Sequence, residues 1–135
     1  LLNSSHFDWV DLFGDDASLI SSGFDAWGGV FYFNGNWHAL GGIEKRKAEL
    51  LTRGSRIVCL AAANDWLNEN ETEETAYKTR TWLREPPTQK QIHALPKESR
   101  LDFNLTRYRA SARITFEQNK QEIKRLVTSD NTQSL

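Results

Sequence analysis

The side chains best placed to do chemistry are the basic ones of the second half. Arg109, Arg113, Lys120 and Lys124 follow one another at spacings of four, seven and four, which sets them along one side of a helix. Glu117 interrupts the row once. A line of cations at helical pitch matches the line of charge on a nucleic-acid backbone, where each neutralised phosphate releases counterions. Thr106-Arg107-Tyr108-Arg109 also puts two arginines at a helix start, where the first backbone N–H groups have no partner inside the helix and suit a phosphate. Thr88-Gln89-Lys90 repeats the arrangement one helix earlier. Arg107, Arg109, Arg113, Lys120 and Lys124 are therefore expected to hold phosphates, with Arg84 and Lys90 as outer contacts. The row is expected to lie away from the apolar stripe of Tyr108, Phe116 and Ile123; the competing reading is the solvated face of an ordinary amphipathic helix.

Aromatic residues give a second possibility. Trp37 and His38 lie close to a hairpin tip, where an exposed ring stacks on an unpaired base; core packing is the competing role for such rings. Catalytic patterns are missing. His6, His38 and His93 have no metal-ligand spacing, and Cys59, set among Ile57, Val58, Leu60 and Ala61, reads as a buried and inert thiol. Asp8, Asp11, Asp15 and Asp16 are close enough in sequence to gather a divalent ion, but acidic turn residues are usually solvated. No phosphate loop, nucleophile elbow or zinc-protease pattern occurs. No cofactor and no metal are expected.

These side chains need a scaffold, and its clearest signal is Val30-Phe31-Tyr32-Phe33, Asn34-Gly35, Asn36-Trp37-His38-Ala39-Leu40. Asn-Gly supplies the two positive-φ positions of a tight hairpin. A two-residue loop pairs Phe33 with Asn36, Tyr32 with Trp37, Phe31 with His38 and Val30 with Ala39. One face then carries Val30, Tyr32, Trp37 and Ala39, and the other Phe31, Phe33, Asn36 and His38. With aromatics on both, either the hairpin is covered on both sides or one face is a stacking surface. Strands are expected around residues 9–13 and 17–22, with the hairpin ended by Gly41-Gly42. A short charged helix is expected over 44–51, a buried helix from Ser55 to Asn68, and another opened by Thr72-Glu73-Glu74 that stops before Pro86. A capped helix follows from Thr88 to about Leu95, a loop covers 97–104, and a final helix runs from Arg107 to Val127. The fold class is α+β: a small antiparallel sheet with the Asn-Gly hairpin packed on helices, followed by a basic helical pair. The expected division is an acidic and aromatic part over 1–84, a basic two-helix module over 85–127, and a flexible tail over 128–135.

Composition agrees with a packed domain. The 135 residues are 39% hydrophobic and include fifteen aromatics, five of them Trp, enough to build a core at this length. The net charge of −1 conceals a division. Residues 1–40 hold five Asp and no Lys or Arg, whereas residues 76–127 hold twelve basic side chains against five acidic. Such asymmetry points to a nucleic acid or an acidic partner for the second half; the alternative is attraction between the two halves. No apolar run spans a bilayer, so no membrane partner is expected. A single cysteine excludes an internal disulfide and fits a reducing, cytoplasmic setting. The chain starts Leu1-Leu2-Asn3 and contains no Met, as a piece of a longer protein would.

Trp82-Leu83-Arg84-Glu85-Pro86-Pro87-Thr88-Gln89-Lys90-Gln91, then Leu95, then Leu105-Thr106-Arg107-Tyr108-Arg109-Ala110-Ser111 resembles a two-helix module with the pattern W-x-x-x-P-x-T-x-x-Q … L-T-x-x-x-A-S. That module follows the motor of some bacterial superfamily-2 DEAD/DEAH-type DNA helicases and occurs on some exonuclease-like proteins. The resemblance covers about residues 82–127. It implies an accessory domain of a DNA helicase or repair enzyme, without catalysis of its own, whose ATPase core lies outside this chain. DNA is the expected partner, single-stranded or forked rather than plain duplex, together with the parent's motor domain. The rival expectation is a protein-interaction module that docks an acidic partner or that motor, and shows a sizeable exposed apolar patch.

Overall fold

The computed structural model describes residues 7–44, 46–101 and 105–129. His6, the sequence stretch 102–104 and the expected tail from 130 lie outside them. Five antiparallel strands form one sheet in sequence order: β1 (Val10–Asp11), β2 (Ser18–Ser22), β3 (Ala26–Phe33), β4 (Asn36–Ile43) and β5 (Glu49–Gly54). Four helices follow, α1 (Arg56–Asn70), α2 (Glu73–Thr81), α3 (Gln89–Ala94) and α4 (Arg107–Thr128), with a 3₁₀ turn over Lys97–Leu101. This is an α+β fold. The hairpin register is the one that a two-residue Asn-Gly loop requires, Phe33 opposite Asn36 through Val30 opposite Ala39. Asn34 and Gly35 take the positive φ values of 52° and 86°.

Both faces of the hairpin are covered. Val30 and Ala39 pack with Cys59, Leu60 and Ala63 of α1. On the other side Phe31 joins Ile20, Trp27 and Leu40 against Ala112, Ile123, Leu126 and Val127 of α4. The sheet is thus the middle layer between α1 and α4, and the alternation of the strands feeds two half-cores rather than one.

That double coverage explains two departures from expectation. Residues 44–51 do not form a helix; Glu49–Gly54 is the edge strand β5. Leu50 faces the α4 cluster and Leu51 the α1 cluster, so adjacent leucines in a strand buried on both sides read like part of a helix. Gly41 and Gly42 do not end the hairpin but continue β4 as far as Ile43. A Cβ on Gly41 would lie 2.5 Å from the Trp66 ring, and one on Gly42 would lie 2.1 Å from the Trp27 ring. The glycines are there because two indoles lie flat against the backbone.

Glu71, buried at the end of α1, holds the turn between β2 and β3. Its carboxylate accepts from the backbone N–H groups of Phe24, Asp25 and Ala26 at 2.7, 2.6 and 2.9 Å. Three charge-assisted bonds satisfy a carboxylate that burial would otherwise make costly. The far half of the chain is bound into the same structure. Buried Tyr108 of α4 donates its hydroxyl to the Asp8 carbonyl at 2.8 Å and lies 2.7 Å from the Ser21 hydroxyl. Ser22 meets both Ser111 and Thr115 of α4. The expected boundary near residue 84 therefore divides the sequence, but the core cluster of Ile20, Leu40, Ile123 and Leu126 crosses it.

Candidate nucleic-acid interface

α4 starts at Thr106, whose hydroxyl accepts from the Arg109 N–H at 3.1 Å. The other early donors are also engaged. Arg107 N–H goes to the Glu85 carbonyl at 2.7 Å, Tyr108 N–H to the Trp82 carbonyl at 3.1 Å, and Ala110 N–H to the Thr106 carbonyl at 2.9 Å. The N–H groups of Arg107, Tyr108 and Arg109, three of the donors left over at a helix start, are thus spent within the chain, and the bond from Ala110 is the first of the helix itself. Arg107 itself pairs with Glu85 at 3.1 Å.

The same contacts account for the W-x-x-x-P-x-T-x-x-Q and L-T-x-x-x-A-S pattern. Trp82 and Glu85 supply the carbonyls that complete α4. Thr88 and Gln91 form a reciprocal capping box on α3, and the Gln91 amide also donates to the Arg107 carbonyl at 3.3 Å. Ala110 is fully buried, and Ser111 bonds Ser22 at 3.2 Å. In these contacts the pattern builds a helix junction.

The basic row of α4 divides. Arg113 turns inward: Nη1 donates to the Leu12 carbonyl at 2.9 Å, and the guanidinium lies 5.0 Å from the centre of the Phe13 ring. Glu117 stands 3.9 Å from its Nε. Arg109, Lys120 and Lys124 remain exposed, with Lys120 paired to Glu117 at 3.0 Å, an exposed pair of little net strength. The row does not lie away from the apolar stripe. Lys120 and Lys124 edge a groove of about 490 Å³ whose floor includes Phe31, Phe33, Phe116 and Val127. Arg84 lines a separate depression with Tyr77 and Arg80, and Lys90 is exposed on the short α3. Neither shares that groove.

His38 is fully buried in β4 opposite Phe31. Burial holds its pKa below the ordinary histidine value. With no exposed face it has nothing to offer a base, which corrects the stacking expectation. Trp37 is half-buried: the Tyr32 ring stands 5.3 Å away at 64°, and the Arg56 guanidinium lies 5.7 Å over it. Phe33 lines the groove with Lys120 and Lys124 but was not among the individual stacking candidates expected from the sequence. Its signal was the alternation that put it on the Phe31 face, one residue before the turn.

Other candidates are occupied with structure. Asp11 accepts from the N–H groups of Gly14 and Asp16, Asp15 accepts from Ala17, and Asp16 pairs with Arg56. Among the described residues no group of three or more His, Cys, Asp or Glu could hold a metal ion. Cys59 is buried and its thiol pKa is pushed up by that burial, so it is a poor nucleophile. No described helix is long and apolar enough to cross a membrane.

The fold and this surface define an α+β domain whose exposed basic helix borders an aromatic groove. The chain belongs to the family described as mitochondrial helicase Irc3, C-terminal domain, whose model matches residues 1–133. It is accordingly a helicase C-terminal accessory domain, and the family match spans both the acidic and the basic halves. No curated protein and no solved structure matches the chain.

Proposed function

We propose that this domain holds nucleic acid for a helicase motor, gripping the phosphate backbone through the basic side of α4 and performing no catalysis itself. The observation that supports it is the exposed row of Arg109, Lys120 and Lys124, which extends over roughly 22 Å of helix at 1.5 Å per residue. Arg113 and Arg107 brace the domain, and Arg84 and Lys90 are outlying contacts. DNA, single-stranded or forked, is the substrate, bound with little regard to sequence and with strong dependence on salt. The parent would be a superfamily-2 DNA helicase or repair enzyme, in a reducing compartment such as the cytoplasm.

The test is a titration of labelled single-stranded, forked and duplex DNA at low and at physiological salt. The triple variant Arg109→Glu, Lys120→Glu, Lys124→Glu is expected to lose binding while remaining folded. Equal binding by a folded triple variant would refute the surface. A second reading has its own support: Ile57 and Val58, at the start of α1, are 70% and 51% exposed. Adjacent exposed aliphatics fit a contact with the parent's motor domain. That reading predicts motor binding that Ile57→Lys abolishes, without any effect on DNA.

A further inference from the structure

We infer that the groove beside Lys120 and Lys124 is a seat for an unpaired base of a single-stranded nucleic acid. The inference rests on the nucleic-acid reading above and makes it specific: α4 grips the backbone, and the groove selects strands whose bases are free to leave the stack.

Three features of the groove carry it. First, its walls come from both layers, Phe31 and Phe33 from β3 and Phe116, Ile123 and Val127 from α4. It is an open groove where the sheet meets α4. Its open volume of about 490 Å³ is within the size range of small-molecule sites. Second, Phe33 is only partly buried against the core and is the last residue of β3 before the Asn34-Gly35 turn. An aromatic ring at a strand end offers a flat, sequence-tolerant face to any base. Third, Lys120 and Lys124 are one helical turn apart on the rim, about 6 Å along the axis. A base inserted among the phenylalanines brings the phosphates on either side of it toward these two ammonium groups.

Charge complementarity decides the occupant. An apolar side chain of a protein would use the phenylalanines but gain nothing from two cations at the mouth. A nucleotide uses both. A base held in a duplex uses only the lysines, because pairing and stacking keep its face from the groove. Preference for single strands or for the open arm of a fork follows from the shape of the cleft.

The experiment compares oligo(dT) with an abasic oligonucleotide of the same length and charge, bound to the 135-residue chain. The native protein is expected to bind oligo(dT) about five- to a hundredfold more tightly, the effect of one stacked base. Phe33→Leu keeps an apolar side chain but removes the ring face, and is expected to erase that difference. Lys120→Gln with Lys124→Gln is expected to weaken both oligonucleotides and to lower the salt slope by about 1.4, at 0.7 per single-strand phosphate contact. If the native protein binds both oligonucleotides equally, the base seat is overturned while the backbone reading survives. If it binds neither, both fall. The comparison on the native protein decides the matter even if Phe33→Leu fails to fold.

Discussion

Whether a side chain on α4 serves the fold or the surface is decided by where its polar atoms end, and adjacent members of one row differ in this. Arg113 donates a hydrogen bond to the Leu12 carbonyl and lies over the Phe13 ring; Lys124 lies at a groove mouth. Arg113→Glu is expected to lower stability by about 1–3 kcal/mol, since a partly buried carbonyl loses its charged donor. Lys124→Glu is expected to leave the urea midpoint almost unchanged and to weaken DNA binding. Urea titrations of both variants check this, and equal midpoints would put Arg113 back on the binding surface. Tyr108 belongs wholly to the fold. Because its hydroxyl donates to Asp8, Ser21 must donate to it, and burial pushes its pKa up to about 12. An exposed tyrosine ionises near 10. The unfolded chain therefore gives up this proton first as pH rises. The contribution is intact below pH 10 and is lost between 10 and 12, by roughly 2–3 kcal/mol for two pH units. Tyr108→Phe is expected to remove that alkaline loss and to cost about 1–2 kcal/mol at pH 8, where the buried Ser21 hydroxyl loses its partner. The same alkaline slope in native and variant proteins would show that another group is responsible.

At the scale of elements, β4 and its packing against α1 invite the most direct test. Trp66 lies on Gly41 and donates Nε1–H to the Gly42 carbonyl at 3.2 Å. Gly41→Ala puts a methyl group where the indole is, and the ring cannot move without giving up that bond. A loss of about 1–3 kcal/mol is expected, as for other overpacked cores, with Trp66 fluorescence shifted to the red. An unchanged midpoint would mean that the indole has room to swing away. Local chemistry was legible here and layer architecture was not. Asn34-Gly35 specifies its own turn and register, and Ser55, Thr72, Thr88 and Thr106 mark the starts of their helices by capping them. By contrast, Leu50-Leu51 suggests a strand only when both faces of the sheet are known to be covered. The glycines of β4 read as a terminator until two indoles are placed against them. The candidate site divides in the same way. The spacing of Arg109, Arg113, Lys120 and Lys124 was visible, but nothing in it revealed that Leu12 and Phe13, a hundred residues earlier, claim Arg113. The start of α4 looked open because the carbonyls of Trp82 and Glu85, which close it, come from another element.

Over the whole molecule, the question is whether the acidic and basic halves are separable. Charge invites that division, but packing opposes it. Ile123, Leu126 and Val127 of α4 are buried against Ile20, Trp27, Phe31 and Leu40 of the sheet. At about 1.5–3 kcal/mol for each large buried side chain, these three alone represent roughly 5–9 kcal/mol, as large as the net stability of many domains. A protein shortened to residues 1–104 would expose one complete face of its sheet, an apolar surface that soluble monomers do not tolerate. It is expected to aggregate or to lack a cooperative transition, whereas the whole chain should unfold in a single urea transition that fluorescence and circular dichroism report at the same midpoint. A soluble, cooperatively folding 1–104 fragment would show that α4 is an appendage. The answer bears on function, because α4 covers one half-core with its inner side and carries Lys120 and Lys124 on its rim. If the sheet cannot fold without α4, the groove between them is set when the chain folds, and a strand meets a rigid cleft. The cost of ordering the site is then part of folding, not of binding.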